Sequence, residues 1–251
     1  LSLHAWVWSD AGVPFVLLHG FGNDAHVFDD FAPHVAPYYR TVALDLRGHG
    51  DADHDPEGRY DHDTMARDVA AALDALTLPR CVLHGHSMGG RVAMRFALRQ
   101  PERLAGLVIV DAGPDLDPRG VLRIRLDAEA RPDPSFASVD EYARLLSSAY
   151  PLARPEVVAR LARHGLRAGR DGRLVPKTDP GIVARWRALD PDEAARRSSE
   201  ETALLWAALR GTACPALVVR GAASDVLAPE TAERMAEEAL PRGSLAVVPR
   251  A

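Results

Sequence analysis

Residues 85–89 read Gly-His-Ser-Met-Gly, a serine between two glycines. A serine hydroxyl becomes a nucleophile only if the backbone presents it and a base takes its proton. An apolar run, RCVLHG, precedes this serine, and a helical pattern, GGRVAMRFALRQ, follows it. On so tight a strand-to-helix turn the serine backbone is strained, so its neighbours must be small. The turn lifts Ser87 above a sheet edge and sets it at a helix N-terminus, where N–H groups and the helix dipole favour negative charge. Ser87 is therefore read as a nucleophile. Acyl transfer then needs two backbone donors for the oxyanion. Met88 N–H, directly after the serine, supplies one. Phe21 N–H supplies the other, from His19-Gly20-Phe21-Gly22 at the end of the run VPFVLLHG, where the glycines let the chain turn inward. His19 precedes those glycines and is expected to bond nearby backbone.

A carboxylate must orient the base and steady its charged form. Asp225, in the loop after PALVVRG, is the expected acid. Asp111, at the end of LAGLVIVD, offers the same chemistry, against which stands its reading as a turn residue. His86 adjoins Ser87 too closely to fold back onto its hydroxyl and is expected as a pocket wall. Trp186, Trp206 and the helix Tyr142–Tyr150 are further expected walls, although core packing would account for them equally well. Arg123, Arg125 and Arg187 could bind a substrate carboxylate, but solvent-facing charge is the better reading. No metal and no dissociable cofactor are expected: metal-ligating residue types do not cluster, and the glycine-rich turn carries a serine where a phosphate loop needs lysine.

Positioning these groups requires a sheet. The runs VPFVLLHG, TVALDL, RCVLHG, LAGLVIVD and PALVVRG are continuously apolar, which suits strands buried on both faces of a parallel sheet. Between them lie helical patterns. DTMARDVAAALDAL repeats apolar residues at Met65, Val69, Leu73 and Leu76, with Asp63 as the expected N-cap. The alternation predicts an α/β domain with a mostly parallel sheet. From Gly113 to Leu209 the alternation stops. Helical pieces follow one another, the last opening with a capping box formed by Ser198 and Glu201. The expected organisation is a core of residues 1–112 and 210–251, with residues 113–209 inserted as a helical lid.

Taken in order, HGFG, DLRGHG, GHSMGG, VDAGP and GAASDVLAP resemble the α/β-hydrolase fold superfamily. The resemblance implies an eight-stranded-type sheet flanked by helices and the chain order serine, acid, histidine. It also implies that Arg47 and His49 of DLRGHG hold loops. Family members that open epoxides or remove halides carry aspartate at the nucleophile position, so Ser87 points to ester or lactone hydrolysis. A carbon–carbon bond hydrolase of the same fold stays open. None of the ten histidines follows Asp225. The resemblance puts the base in a loop just after the eighth strand, which reads SLAVVPR, so the histidine is expected just beyond Ala251. A chain that ended there would instead be a hydrolase-like binding protein.

The net charge of −5 gives no reason to expect nucleic acid or an anionic membrane as a partner. No apolar run approaches the roughly 20 residues of a bilayer span. The partner is expected to be a small-molecule substrate, and the sequence leaves the oligomeric state open. Cys81 and Cys214 each open an apolar run and read as reduced, buried thiols, which suits a cytoplasmic setting. The run LSLHAWVW at Leu1 is strand-like, so a signal peptide ahead of it stays open.

Overall fold

The computed structural model describes residues 1–130 and 134–249. In chain order the strands are β1 (His4–Val7), β2 (Val13–Leu18), β3 (Tyr39–Asp45), β4 (Cys81–His86), β5 (Leu104–Val110), β6 (Leu166–Ala168), β7 (Leu174–Pro176), β8 (Ala216–Gly221) and β9 (Gly243–Val248). The helices are α1 (Ala32–Val35), α2 (His62–Ala75), α3 (Met88–Arg99), α4 (Pro118–Ala130), α5 (Val139–Ala149), α6 (Pro155–His164), α7 (Pro180–Ala188), α8 (Pro191–Gly211) and α9 (Pro229–Glu233), the last continuing as a π-helical turn, Arg234–Ala239. Arg250, the last residue of the expected final strand, residue 251 and positions 131–133 of the inserted segment lie outside the described residues.

The main sheet runs β1-β3-β2-β4-β5-β8-β9, parallel throughout except for β1, which pairs antiparallel with β3. It has seven strands among the described residues, against the eight expected, with β1 at one edge. The unbroken apolar runs follow from burial on both faces. Val16 and Leu18 of β2 enter the main core with α2, α3, α8 and α9, whereas Phe15 and Leu17 enter a second cluster with Ala25, Phe28 and Ala32. Successive strand residues point to opposite faces, so both parities must be apolar.

Several local expectations shift by a few residues. Asp61, not Asp63, caps α2, its side chain accepting from Thr64 N–H. Asp63 lies in the first turn and binds Arg67, Arg95 and Arg99. Ser198 and Glu201 form no capping box, because α8 starts seven residues earlier at Pro191, where Asp190 accepts from Asp192 and Glu193 N–H. The boundary drawn at 209 falls inside α8, whose residues from Leu205 already pack in the main core. Between β5 and β8 the chain also forms the hairpin β6–β7, whose three-residue strands are too short to carry a recognisable period. No helix among the described residues is long and apolar enough to cross a membrane.

Candidate active site

β2 and β4 are neighbours, yet the chain leaves β2 toward β3 on one side and β4 toward β5 on the other. That reversal opens a crevice past the C-terminal strand ends, the usual ligand position in open α/β sheets. A cavity of about 390 Å³ lies there. Its floor comprises Gly20, Phe21 and Gly22 after β2, His86 and Ser87 at the end of β4, and Asp111 after β5. The inserted helices supply the opposite wall through Arg123 and Ile124 of α4, Tyr142 and Leu146 of α5, and Leu161 of α6. The volume falls within the range of small-molecule sites.

Ser87 has φ 51 and ψ −117, a left-handed conformation that strains any residue with a side chain. It stands at the N-cap of α3, yet its side chain makes no capping bond. The glycines around it answer to close approach. A Cβ on Gly85 would lie 2.2 Å from Gly89 O, and one on Gly89 would lie 2.4 Å from Leu18 O. β4, the first turn of α3 and the end of β2 therefore touch backbone to backbone. Gly20 brings the β2 loop against the serine, since a Cβ there would sit 3.2 Å from Ser87 Cβ.

The amides divide into spent and unspent donors. Gly89 N–H donates to His19 O at 3.1 Å, and Gly90 and Arg91 N–H donate to Ser87 O. Among the described residues no acceptor takes Phe21 N–H or Met88 N–H. His19 fixes the loop. Its Nδ1 pairs with Gly20 O at 2.8 Å, and its Nε2 accepts Leu46 N–H at 3.0 Å, so Nδ1 carries the proton. Burial holds the His19 pKa below its ordinary value, with the Gly20 contact opposing. Packing around His86 likewise lowers its pKa, against the nearby charge of Asp111.

Comparison with known proteins places this arrangement. The family model for the alpha/beta hydrolase fold matches residues 13–167. The chain belongs to the alpha/beta hydrolase fold family. A 2-(acetamidomethylene)succinate hydrolase of Mesorhizobium japonicum is 27% identical over 220 residues, covering 86% of this chain and 73% of the relative. The crystal structure of an E-2-(acetamidomethylene)succinate hydrolase superposes with a TM-score of 0.84 at 24% identity, covering 99% of this chain and 87% of that one. An sn-1-specific diacylglycerol lipase ABHD11 of Danio rerio is 40% identical over 105 residues, 41% of this chain. That match spans about a third of the lipase, 32% of its length.

In this alpha/beta hydrolase the other expected site residues fall into two groups. Phe21 and His86 line the cavity, and Met88 opens α3 directly after the serine. Trp186 packs on the Phe21 ring at 4.7 Å and backs the loop without lining the cavity. Trp206 is corrected: it is 6% exposed in the main core, its indole N–H donating to Asp115 Oδ2 at 3.0 Å with the Arg234 guanidinium 4.1 Å above the ring. The C-terminal half of α8 packs on α3 and buries that face away from the cavity. Asp225 is not among the lining residues; both its oxygens accept from Arg123, which holds the carboxyl below the usual range.

Arg47 and His49 brace loops. Arg47 binds Asp55 and Asp68, and burial beside His19 lowers the His49 pKa to about 3. The sequence offered no sign that Asp24 lines the cavity. Its carboxylate caps the turn at Ala25, and burial with the nearby charge of Asp45 raises its pKa. Among the described residues two groups hold metal-ligating types within 4.8 Å of one another, His26–Asp29–His164 and His4–Asp45–Asp51. None of these residues lines the cavity.

Proposed function

We propose that the chain is a serine hydrolase that cleaves a carboxylic ester, or a lactone, of a small and largely apolar substrate through an acyl-enzyme. The observation that carries this reading is the placement of Ser87 in a left-handed elbow on the cavity floor, beside two amides without acceptors. In the reaction, Ser87 Oγ attacks the carbonyl carbon as a base removes its proton. The oxyanion is held by Phe21 N–H and Met88 N–H, with the dipole of α3 adding to the field. The base then protonates the departing alcohol, and water repeats the sequence on the acyl-enzyme.

The base in this reading is a histidine, which the family's chain order puts on the loop after the last strand of the sheet. β9 runs parallel to β8, so its C-terminal end lies on the same sheet edge as Ser87. Among the described residues no histidine hydrogen-bonds the Ser87 hydroxyl. The inserted helices act as a lid, a role supported by the walls that α4, α5 and α6 give the cavity. The partner is one small-molecule substrate, and the free, buried Cys81 and Cys214 suit a cytoplasmic setting.

A panel of short-chain nitrophenyl esters, lactones, a diketone acid and 2-(acetamidomethylene)succinate, run on the full-length protein with Ser87→Ala as control, tests the reading. Turnover of esters that disappears in Ser87→Ala is expected. Turnover of the diketone alone would shift the reading to carbon–carbon hydrolysis. The rate should fall as pH drops through about 6.5, where an ordinary histidine takes up its proton. A profile flat down to about pH 5 would contradict a histidine base.

A further inference from the structure

We propose that Asp111, not Asp225, is the carboxylate that orients the base at Ser87, and that Asp225 anchors helix α4 to the core. The inference rests on the serine-hydrolase reading above. A carboxylate in this role needs a free lone pair for the imidazole N–H, a place at the nucleophile's sheet edge and a rigid backbone. The two strand-end aspartates share the sheet edge and a braced backbone and differ in the partners of their carboxylates.

Asp225 is already committed. Arg123 Nε donates to its Oδ2 at 2.7 Å and Arg123 Nη2 to its Oδ1 at 2.9 Å, a bidentate pair that uses both oxygens. The same helix and the residue just before it grip the loop twice more. Asp117 N–H donates to Val226 O at 2.9 Å, and Gly120 packs so closely that a Cβ would stand 2.2 Å from Asp225 O. The loop is braced from below by Arg220, whose guanidinium donates to Leu227 O, Ala222 O and Ser224 O. Anchoring α4 accounts for every polar atom of the Asp225 side chain.

Asp111 is uncommitted. Asp111 lines the cavity with Ser87 and His86, and its Oδ1 is shut off from solvent without accepting a hydrogen bond from the described residues. A left-handed aspartate in an ordinary turn bonds a backbone N–H close by, and among the described residues no N–H reaches Asp111 Oδ1. Its backbone has φ 49, and among the described residues only Thr77, Ser87 and Asp111 combine a side chain with positive φ. Two of those three therefore stand at the ends of adjacent strands, β4 and β5, on the cavity floor. Asp111 N–H donates to Val219 O at 2.8 Å, which ties the strained residue to β8. Strain together with an unsatisfied buried acceptor is a combination that folds retain where a site uses it.

The test compares Asp111→Asn with Asp225→Asn in the full-length protein. Asparagine keeps the shape and tolerates positive φ. The readouts are kcat and KM on a nitrophenyl ester, the rate of Ser87 labelling by a fluorophosphonate, the pH profile of kcat/KM and the melting temperature. Asp111→Asn should lower kcat by about 10³–10⁴-fold with KM changed less than about threefold, and should move the acid limb of the profile downward. Asp225→Asn should stay within about tenfold in kcat and lower the melting temperature, since it frees α4. A 10³-fold loss confined to Asp225→Asn, or equal losses in both variants, would overturn the assignment, because it would mean that the Arg123 pair opens when the base docks. If Asp111→Asn does not fold, Asp225→Asn decides alone, with retained kcat supporting the assignment and lost kcat rejecting it. If wild type neither forms a fluorophosphonate adduct nor exceeds Ser87→Ala on any substrate, the serine-hydrolase reading fails first and the assignment falls with it.

Discussion

Replacing Gly85 by alanine would test whether close backbone contact builds the nucleophile elbow. The added Cβ would stand 2.2 Å from Gly89 O, 2.5 Å from Gly89 C and 2.6 Å from Gly90 N, against the 3.4 Å of ordinary contact. All three neighbours are main-chain atoms, so no rotamer change can relieve the clash, and the first turn of α3 must retreat by about 1 Å. Overpacking of this kind costs about 1–3 kcal/mol, and the lack of any flexible neighbour puts Gly85→Ala near the upper end. In a chain of this size each kcal/mol lowers the melting temperature by about 2–4 °C, so a fall of about 6–12 °C is expected. A displacement of about 1 Å would also carry Ser87 away from the Phe21 amide and reduce reactivity by about 10²-fold. Calorimetry measures the first effect, and the rate of fluorophosphonate labelling measures the second. Gly211→Ala is the control. No atom lies within 4 Å of its Cβ position at the end of α8, so alanine there should be neutral or stabilising by up to about 1 kcal/mol. A Gly85→Ala protein that melts within about 1 °C of wild type and labels at the same rate would refute the contact argument.

Other expectations concern stability. Hydrogen bonding to Arg99, with the charges of Arg95 and Arg67, lowers the Asp63 pKa from 3.8 to about 2. A depressed folded-state value means that this stabilisation is present above pH 3.8 and fades as pH falls toward 2. Asp63→Asn should therefore cost about 1–2 kcal/mol in urea at pH 6, and the gap from wild type should close on acidification; a gap constant with pH would remove the electrostatic explanation. Thr77 is exposed and β-branched at φ 57, so Thr77→Gly should raise stability by about 1 kcal/mol, and a fall would mean that the strain is not relieved. Trp206→Phe should lower stability by about 1–3 kcal/mol, through the lost bond to Asp115, and leave KM within about twofold; a large rise in KM with unchanged melting would return Trp206 to the pocket.

Much of the site is local in sequence, and that part was legible. Gly85-His86-Ser87-Met88-Gly89 and His19-Gly20-Phe21-Gly22 each follow a strand directly, so strand, turn and donor are specified within a few residues. Burial of the sheet on both faces leaves short apolar runs bounded by turn residues, and their alternation with helical patterns points to the α/β architecture. Helix termini were less legible. Asp61 and Asp63, or Asp190 and Ser198, offer the same capping chemistry, and three-dimensional partners choose between them. Trp206 illustrates the limit for large apolar residues, because a pocket wall and a core position select the same side chain; the packing of α8 on α3 decides. The state of the two aspartates is also tertiary. Arg123 reaches Asp225 across 102 residues of chain, a pairing that no local pattern encodes. Sequence spacing thus determined which groups could do chemistry at the sheet edge. Folding decided which of them remain free, since a carboxylate already held by a distant cation is oriented and neutralised by that partner instead of by a base.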